Sequence, residues 1–221
     1  LLMGRKYAAD ELDGLIDYSI AHYFRTPEYW RKDGKLFFSI YNFPDFVKNV
    51  GAEGVKGALA RARAKVRAAG LGEVEFNAQN VPFEQVDAVK SLGVDSLTHY
   101  GYNAYSVPGG WQAYLKGQRL FNFADAVEPL RARHAQYAQA SLPYYPVVPT
   151  GWDATPRFRP EEPFPWKDGK PDYPYCGTFT NSTADVFERM LRDAKAAVER
   201  DPKRPGVVYI NAWNEYTEGC W

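Results

Sequence analysis

Five apolar segments alternate with helical segments along this chain, and each of the five ends in amides, aromatics, a histidine or a carboxylate. The apolar segments read as strands over residues 36–42, 73–79, 94–100, about 144–150 and 206–214. Helical spacing runs over residues 10–24, 53–69, 83–93, 122–141 and 182–201. Strands that alternate with helices pair in parallel through right-handed crossovers. Two architectures satisfy that order, an open doubly wound sheet and a closed β/α barrel. No glycine-rich phosphate loop follows any strand, which counts against a nucleotide-binding sheet. The strand ends "SIYNF", "FNAQN", "LTHYG", "VVPTGWD" and "INAWNE" are all polar. Polar groups from several strand ends converge at one face of a barrel. The expected fold class is therefore α/β, a (β/α)8 TIM-type barrel. Such a barrel needs eight strands and about 250 residues. The five strands read here predict that residues 1–221 form a single partial β/α-barrel domain, with N-terminal strands and a C-terminal closure outside this sequence.

Local signals mark the boundaries. Asp33-Gly34 predicts a turn, and Gly70 and Gly93 predict helix stops. Asn122 is expected to cap the helix that follows it, and Pro129 to kink that helix. Ser182 reads as a helix cap, with Asp185 in the capping-box position. Residues 101–114 and 152–181 read as loops, the second Pro-rich and aromatic.

Charge narrows the partners. Lys and Arg total 27, Asp and Glu total 27, so no net positive field exists to attract nucleic acid or an anionic surface. No apolar run has the length of a membrane span. Cys176 and Cys220 make no disulfide framework, and His22, His99 and His134 show no metal-ligand spacing. Neither a metal nor a cofactor is expected. The 16 Tyr and 6 Trp supply flat apolar faces with polar handles, suited to sugars and equally to a Tyr-rich core.

The chemistry concentrates at the end of the last strand, in "INAWNEYTEG". If the chain turns helical there, Glu215 and Glu218 share a face, with Cβ atoms about 5–6 Å apart. Two carboxylates so close cannot both ionise freely, which separates an acid from a base. Glycoside hydrolysis uses such a pair. The competing reading is an acidic helix start with no catalytic role. Around the pair, Asn214 could hydrogen-bond a sugar hydroxyl, and Trp213 and Tyr216 could lie under a sugar ring. The other strand ends add Tyr41, Asn42, Asn77, His99 and Tyr100 as substrate-binding candidates. In "GWDATPR", Trp152 and Asp153 could bind substrate, or form a turn with an ion pair to Arg157.

At these residues the sequence resembles the glycoside hydrolase family 99-like proteins, which include endo-α-mannosidases and the WbsX-like proteins of bacterial polysaccharide loci. "WNEYTEG" is similar to the W-N-E-[WY]-x-E-G signature of that group. "YFRTPEYWRKDGKLFFSIYNF", "GWDATPR" and the helix after "FTNSTADVFERML" resemble further segments of the group in the same order. The resemblance implies a (β/α)8 barrel, with these strands as the fourth to eighth. It also implies that Glu215 deprotonates a sugar 2-hydroxyl, which attacks the anomeric carbon. Glu218 would protonate the leaving oxygen and later activate water. Thr217 stands where the endo-α-mannosidases tend to have His, and the match is closer to the WbsX-like branch. The implied partner is an oligo- or polysaccharide, and a periplasmic or secreted location fits it. Three functions follow from this reading: a retaining hydrolase of α-linked glycans, a glycosyltransferase or transglycosylase of polysaccharide biosynthesis, and a non-catalytic carbohydrate-binding protein.

Overall fold

A computed structural model describes residues 8, 10–101, 107, 109–157, 177–200 and 206–212. The chain divides into two compact units, one of Leu1–His99 with Ala140–Tyr144, the other of Tyr100–Gln139 with Tyr145–Trp221.

The first unit runs α1 (Glu11–His22), β1 (Arg31–Lys32), β2 (Lys35–Ile40), α2 (Phe43–Val50), α3 (Ala52–Ala68), β3 (Val74–Gln79), α4 (Val86–Ser91) and β4 (Ser96–Thr98). These strands form one sheet in the order β1-β2-β3-β4. β2, β3 and β4 are parallel, in register Phe38↔Phe76 and Ala78↔Leu97. β1 adds antiparallel through Asp33-Gly34, both with positive φ (50° and 80°), as a two-residue hairpin requires. Leu97 bridges to Tyr144 in parallel.

Helices cover the outer face of this sheet for a reason visible in their spacing. Along α3, Val55, Ala58, Leu59, Ala62 and Val66 recur every three or four residues and are all buried. Arg63 leaves that stripe to reach β4. Its Nη2 donates to Asp95 Oδ2 (2.5 Å) and to the Gly93 carbonyl (2.7 Å), and its guanidinium lies 4.8 Å from the Phe76 ring centre. Asp95 Oδ2 also accepts from the Phe76 backbone N–H at 2.8 Å.

α3 and α4 end alike. Gly70 (φ +72°) accompanies bonds Leu71 N–H to Val66 O and Gly70 N–H to Arg67 O. Gly93 (φ +100°) accompanies Val94 N–H to Val89 O and Gly93 N–H to Lys90 O. Both are Schellman ends, and each delivers the chain into the next parallel strand. The expected stops at these glycines are met. One helix of this unit was not anticipated: α2, which starts immediately after Ser-Ile-Tyr-Asn and buries Phe43 and Phe46. The 94–100 strand shortens to Ser96–Thr98, because His99 and Tyr100 have left the ladder.

The second unit runs α5 (Gly110–Leu115), β5 (Leu120–Asn122), α6 (Val127–Tyr137), β6 (Val147–Pro149), β7 (Thr178–Thr180), α7 (Ala184–Glu199) and β8 (Tyr209–Asn211). β6 pairs with β8 and β5 with β7, both in parallel. Phe123, Leu130, Val148, Met190 and Ala194 form its core with Trp152 and Phe179. Five details correct the sequence reading. The 101–114 loop contains most of α5, and the 152–181 loop ends in β7. Asn122 does accept from Ala124 N–H (3.3 Å), but caps a 3-10 turn, Phe123–Ala126, ahead of α6. Pro129 falls in the first turn of α6, where proline is tolerated. Thr183, not Ser182, caps α7 by accepting from Val186 N–H at 3.4 Å. Asp185 thereby becomes a first-turn acid facing the helix dipole.

His134 on α6 is only 3% exposed, and its Nε2 lies 3.2 Å from the Val147 carbonyl at the start of β6. Burial pushes its pKa down to about 4, against a smaller upward pull from the Val147 carbonyl. The folded protein therefore holds neutral imidazole while the unfolded chain protonates near pH 6.5. This stabilisation is complete above that pH and is lost as pH falls toward about 4. Urea titrations at about pH 7 and about pH 4.5 are expected to show roughly 2 kcal/mol less pH dependence for His134→Gln than for the native protein. Equal dependence in the two proteins would remove His134 from this role.

Candidate functional site

Alternation in β3 divides its residues between two environments. Val74, Phe76 and Ala78 point to the helices, and Glu75, Asn77 and Gln79 to the opposite face. The parallel register places Ser39 beside Asn77, and Ser96 and Thr98 beside Asn77 and Gln79, on that same face. The side chains join: Gln79 Nε2 donates to Ser39 Oγ (2.8 Å), and Ser39 Oγ to Asn77 Oδ1 (2.9 Å). Asn77 Nδ2 donates to Ser96 Oγ (2.9 Å), and Ser96 Oγ to Glu75 Oε1 (2.7 Å). Glu75, Asn77, Ser96 and Thr98 are all buried. Of these residues the sequence reading singled out only Asn77. The signal for Glu75 and Gln79 was the period-two run Glu75, Asn77, Gln79, which normally marks a solvated face. In a barrel that face is the interior.

The remaining candidates separate. Tyr41 is 40% exposed and, with Leu12, Leu15, Ser39 and Phe46, lines a cavity of about 520 Å³. Asn42 adopts the left-handed conformation (φ 49°) at the start of α2, and its Nδ2 donates to Asp45 Oδ2 at 2.6 Å. Asn77 is fully buried, so it orients its neighbours rather than facing solvent. His99 Nδ1 lies 3.2 Å from Tyr144 Oη, the rings meeting edge to face at 5.5 Å. Tyr100 is half-buried in the second unit.

Trp152 is 9% exposed and packs into the core of the second unit. Asp153 Oδ1 accepts from Thr155 N–H (2.9 Å), Thr155 Oγ1 (2.7 Å) and Thr178 Oγ1 (3.3 Å). Its carboxylate thus closes an Asx-type turn and ties it to β7. Trp213, Asn214, Glu215, Tyr216 and Glu218 lie outside the described residues, as do Thr217, Cys176 and Cys220.

The approach to that signature is described as far as Ala212. Asn211, the last residue of β8, is buried, and its carbonyl accepts from Thr150 N–H (2.9 Å) and Thr150 Oγ1 (3.3 Å). Gly101 (φ +48°) lies against its side chain, where an added Cβ would sit 2.5 Å from Asn211 Oδ1. Thr150 thereby holds the end of β8 two residues before Trp213, and Gly101 leaves room for the Asn211 side chain. Among the described residues no group of three or more His, Cys, Asp or Glu could hold a metal ion. No described helix is long and apolar enough to cross a membrane.

Known proteins share this fold. Two structures of the GH99 endo-α-mannosidase from Bacteroides thetaiotaomicron, one in complex with bis-tris-propane, superpose with TM-scores of 0.58 and 0.57. They are 16% and 18% identical, cover 99% and 98% of this chain, and are themselves covered over 55% and 52%. A glycoside hydrolase-like protein superposes with a TM-score of 0.61 at 15% identity, over 94% of this chain and 51% of its own. The expected α/β barrel class is thus the observed one. WxcX proteins of two strains of Xanthomonas campestris pv. campestris are 28% identical over the whole chain. The chain spans 29% of the length of these curated relatives. The family model described as glycosyltransferase WbsX matches residues 1–221. The "WNEYTEG" signature, the barrel strands and this end-to-end match agree, and the chain belongs to the WbsX glycosyltransferase family.

Proposed function

We propose that this chain carries the catalytic glutamates of a retaining, endo-acting enzyme that cleaves α-linked glycans, α-mannan-like or bacterial polysaccharides. The observation that carries this reading is "WNEYTEG" directly after β8, on a fold similar to a GH99 endo-α-mannosidase. Glu215 takes the proton of the sugar 2-hydroxyl, and O2 attacks the anomeric carbon as its bond to the leaving oxygen breaks. Glu218 gives that oxygen a proton. In the second step Glu218 takes a proton from water, water attacks the same carbon as that carbon's bond to O2 breaks, and O2 recovers its proton from Glu215. Two inversions give retention. The strand-end geometry of a barrel supplies the polar surroundings such a step needs.

A second reading is favoured by the family's own description as a glycosyltransferase. Replacing water by a sugar hydroxyl turns the same two glutamates from hydrolysis to transfer.

The test incubates the full-length protein with a panel of α-linked oligosaccharides and follows early products by proton NMR. An α-configured new reducing end released from inside the chain is the expected result. A β-configured first product would refute retention. Elongated products with no gain in reducing ends would establish transfer instead. Binding to a panel member with no bond change would leave a carbohydrate-binding protein.

A further inference from the structure

The buried hydrogen bonds of the first unit have a direction. A carboxylate has acceptors only, so at Glu75 the shared proton must come from Ser96. Ser96 has then spent its one proton and must accept from Asn77, whose amide is thereby oriented with Nδ2 toward Ser96 and Oδ1 toward Ser39. Ser39 donates to that Oδ1 and must in turn accept from Gln79 Nε2. Each assignment forces the next. The chemical identity of one buried side chain at the base of β3 sets the polarity of an amide at its last residue.

The consequence falls on Gln79. Its Nε2 is held by Ser39, so its Oε1 is the end turned away from the chain. Among the described residues that oxygen has no hydrogen-bond partner, and Gln79 is only partly buried. Ser39, one bond below, lines the cavity of about 520 Å³ beside Tyr41. A carbonyl oxygen locked in one orientation, at the C-terminal end of a barrel strand, matches a hydroxyl donor and repels a second carbonyl or an anion.

We propose that Gln79 is a glycan-contacting residue that accepts a hydrogen bond from a sugar hydroxyl, and that the directed chain Glu75–Ser96–Asn77–Ser39 fixes it as an acceptor. This rests on the reading that the substrate is a glycan.

The chain of bonds can be reversed, and that reversal is the test. Gln79→Glu places acceptors at both ends, so two acceptors must meet somewhere inside. The double variant Glu75→Gln with Gln79→Glu lets every bond run the other way and keeps an acceptor oxygen at residue 79. In the full-length protein, Gln79→Glu is expected to lower the thermal midpoint by about 4–8 °C. Glu75→Gln alone is expected to lower it little, and the double variant to recover most of the loss. Additive shifts would overturn the directed chain.

The same proteins are then applied to a glycan array of α-linked manno-, gluco-, galacto- and rhamno-oligosaccharides. Gln79→Ala is expected to weaken binding about tenfold on every glycan the native protein binds. Native-level binding by Gln79→Ala would overturn the contact and leave the glycan reading standing. A native protein that binds no glycan on the array would overturn both.

Discussion

Glu218→Gln in the full-length protein is expected to lower cleavage of a natural glycan by about 10³-fold, and Glu215→Gln by a similar factor. General acid–base groups contribute typically 10² to 10⁴ in rate, and about 10³ corresponds to roughly 4 kcal/mol of barrier. The two losses differ in kind, and that difference identifies the roles. An aryl glycoside with an acidic leaving group departs without a proton, so Glu218→Gln should recover most of its first-step rate on it. Glu215→Gln should not recover, because O2 still needs a base to attack. Burst kinetics on the aryl glycoside would show first-step recovery in Glu218→Gln while turnover stays slow, since the same residue activates water. Cleavage within about tenfold of native in both variants would remove the mechanism. Equal behaviour of the two variants on the aryl glycoside would remove the division of labour while leaving both residues essential.

Asp95→Ala is expected to cost about 3 kcal/mol of stability, read as a lower urea midpoint at unchanged slope. The substitution removes three things together. Arg63, half-buried against Phe76, loses the carboxylate that neutralises it, and the Phe76 N–H inside the sheet loses its acceptor. The tie between α3 and the entry to β4 goes with them. Leaving one partner of such a pair uncompensated costs more than the pair itself contributes. Asp95→Asn keeps a carbonyl for the Phe76 N–H and loses only the charge, so about half the effect is expected. A loss below about 1 kcal/mol for Asp95→Ala would show that Arg63 finds adequate partners in the Gly93 carbonyl and water. By contrast, the exposed pairs Arg61–Asp13 and Lys65–Asp17 between α1 and α3 should each contribute little.

The barrel class could be read before any coordinates because its cues are local. Gly70 and Gly93 end helices by supplying positive φ, and Asp33-Gly34 closes a hairpin for the same reason. The α3 stripe repeats at helical spacing whatever it packs against. Errors came where a local cue had two uses. Ser182 and Thr183 are both good caps, and which one serves depends on where Val186 N–H points. Asn42 looked like a strand-end ligand and instead starts α2 in a left-handed turn. Trp152 read as a substrate-binding candidate and packs into the core of the second unit, since an aromatic face carries no mark of what covers it. β5 and β7 were missed because no long apolar run flags either of them, and they pair with each other across distant stretches of the chain.

The candidate site divides in the same way. Glu215 and Glu218 stand three residues apart, and that spacing along one short segment is what makes their proposed pairing legible in the sequence. Glu75, Ser96, Asn77, Ser39 and Gln79 come from three strands, up to 57 residues apart (Ser39 to Ser96), and no local pattern brings them together. Strand order and parallel register do that, by setting Ser39 against Asn77 and Asn77 against Ser96. Periodicity, caps and the glutamate signature are properties of neighbours in the chain, and the amino-acid order was enough for them. The direction of a buried hydrogen-bond chain belongs to neighbours across the sheet, where each proton can be spent once, and only the folded arrangement decides who receives it.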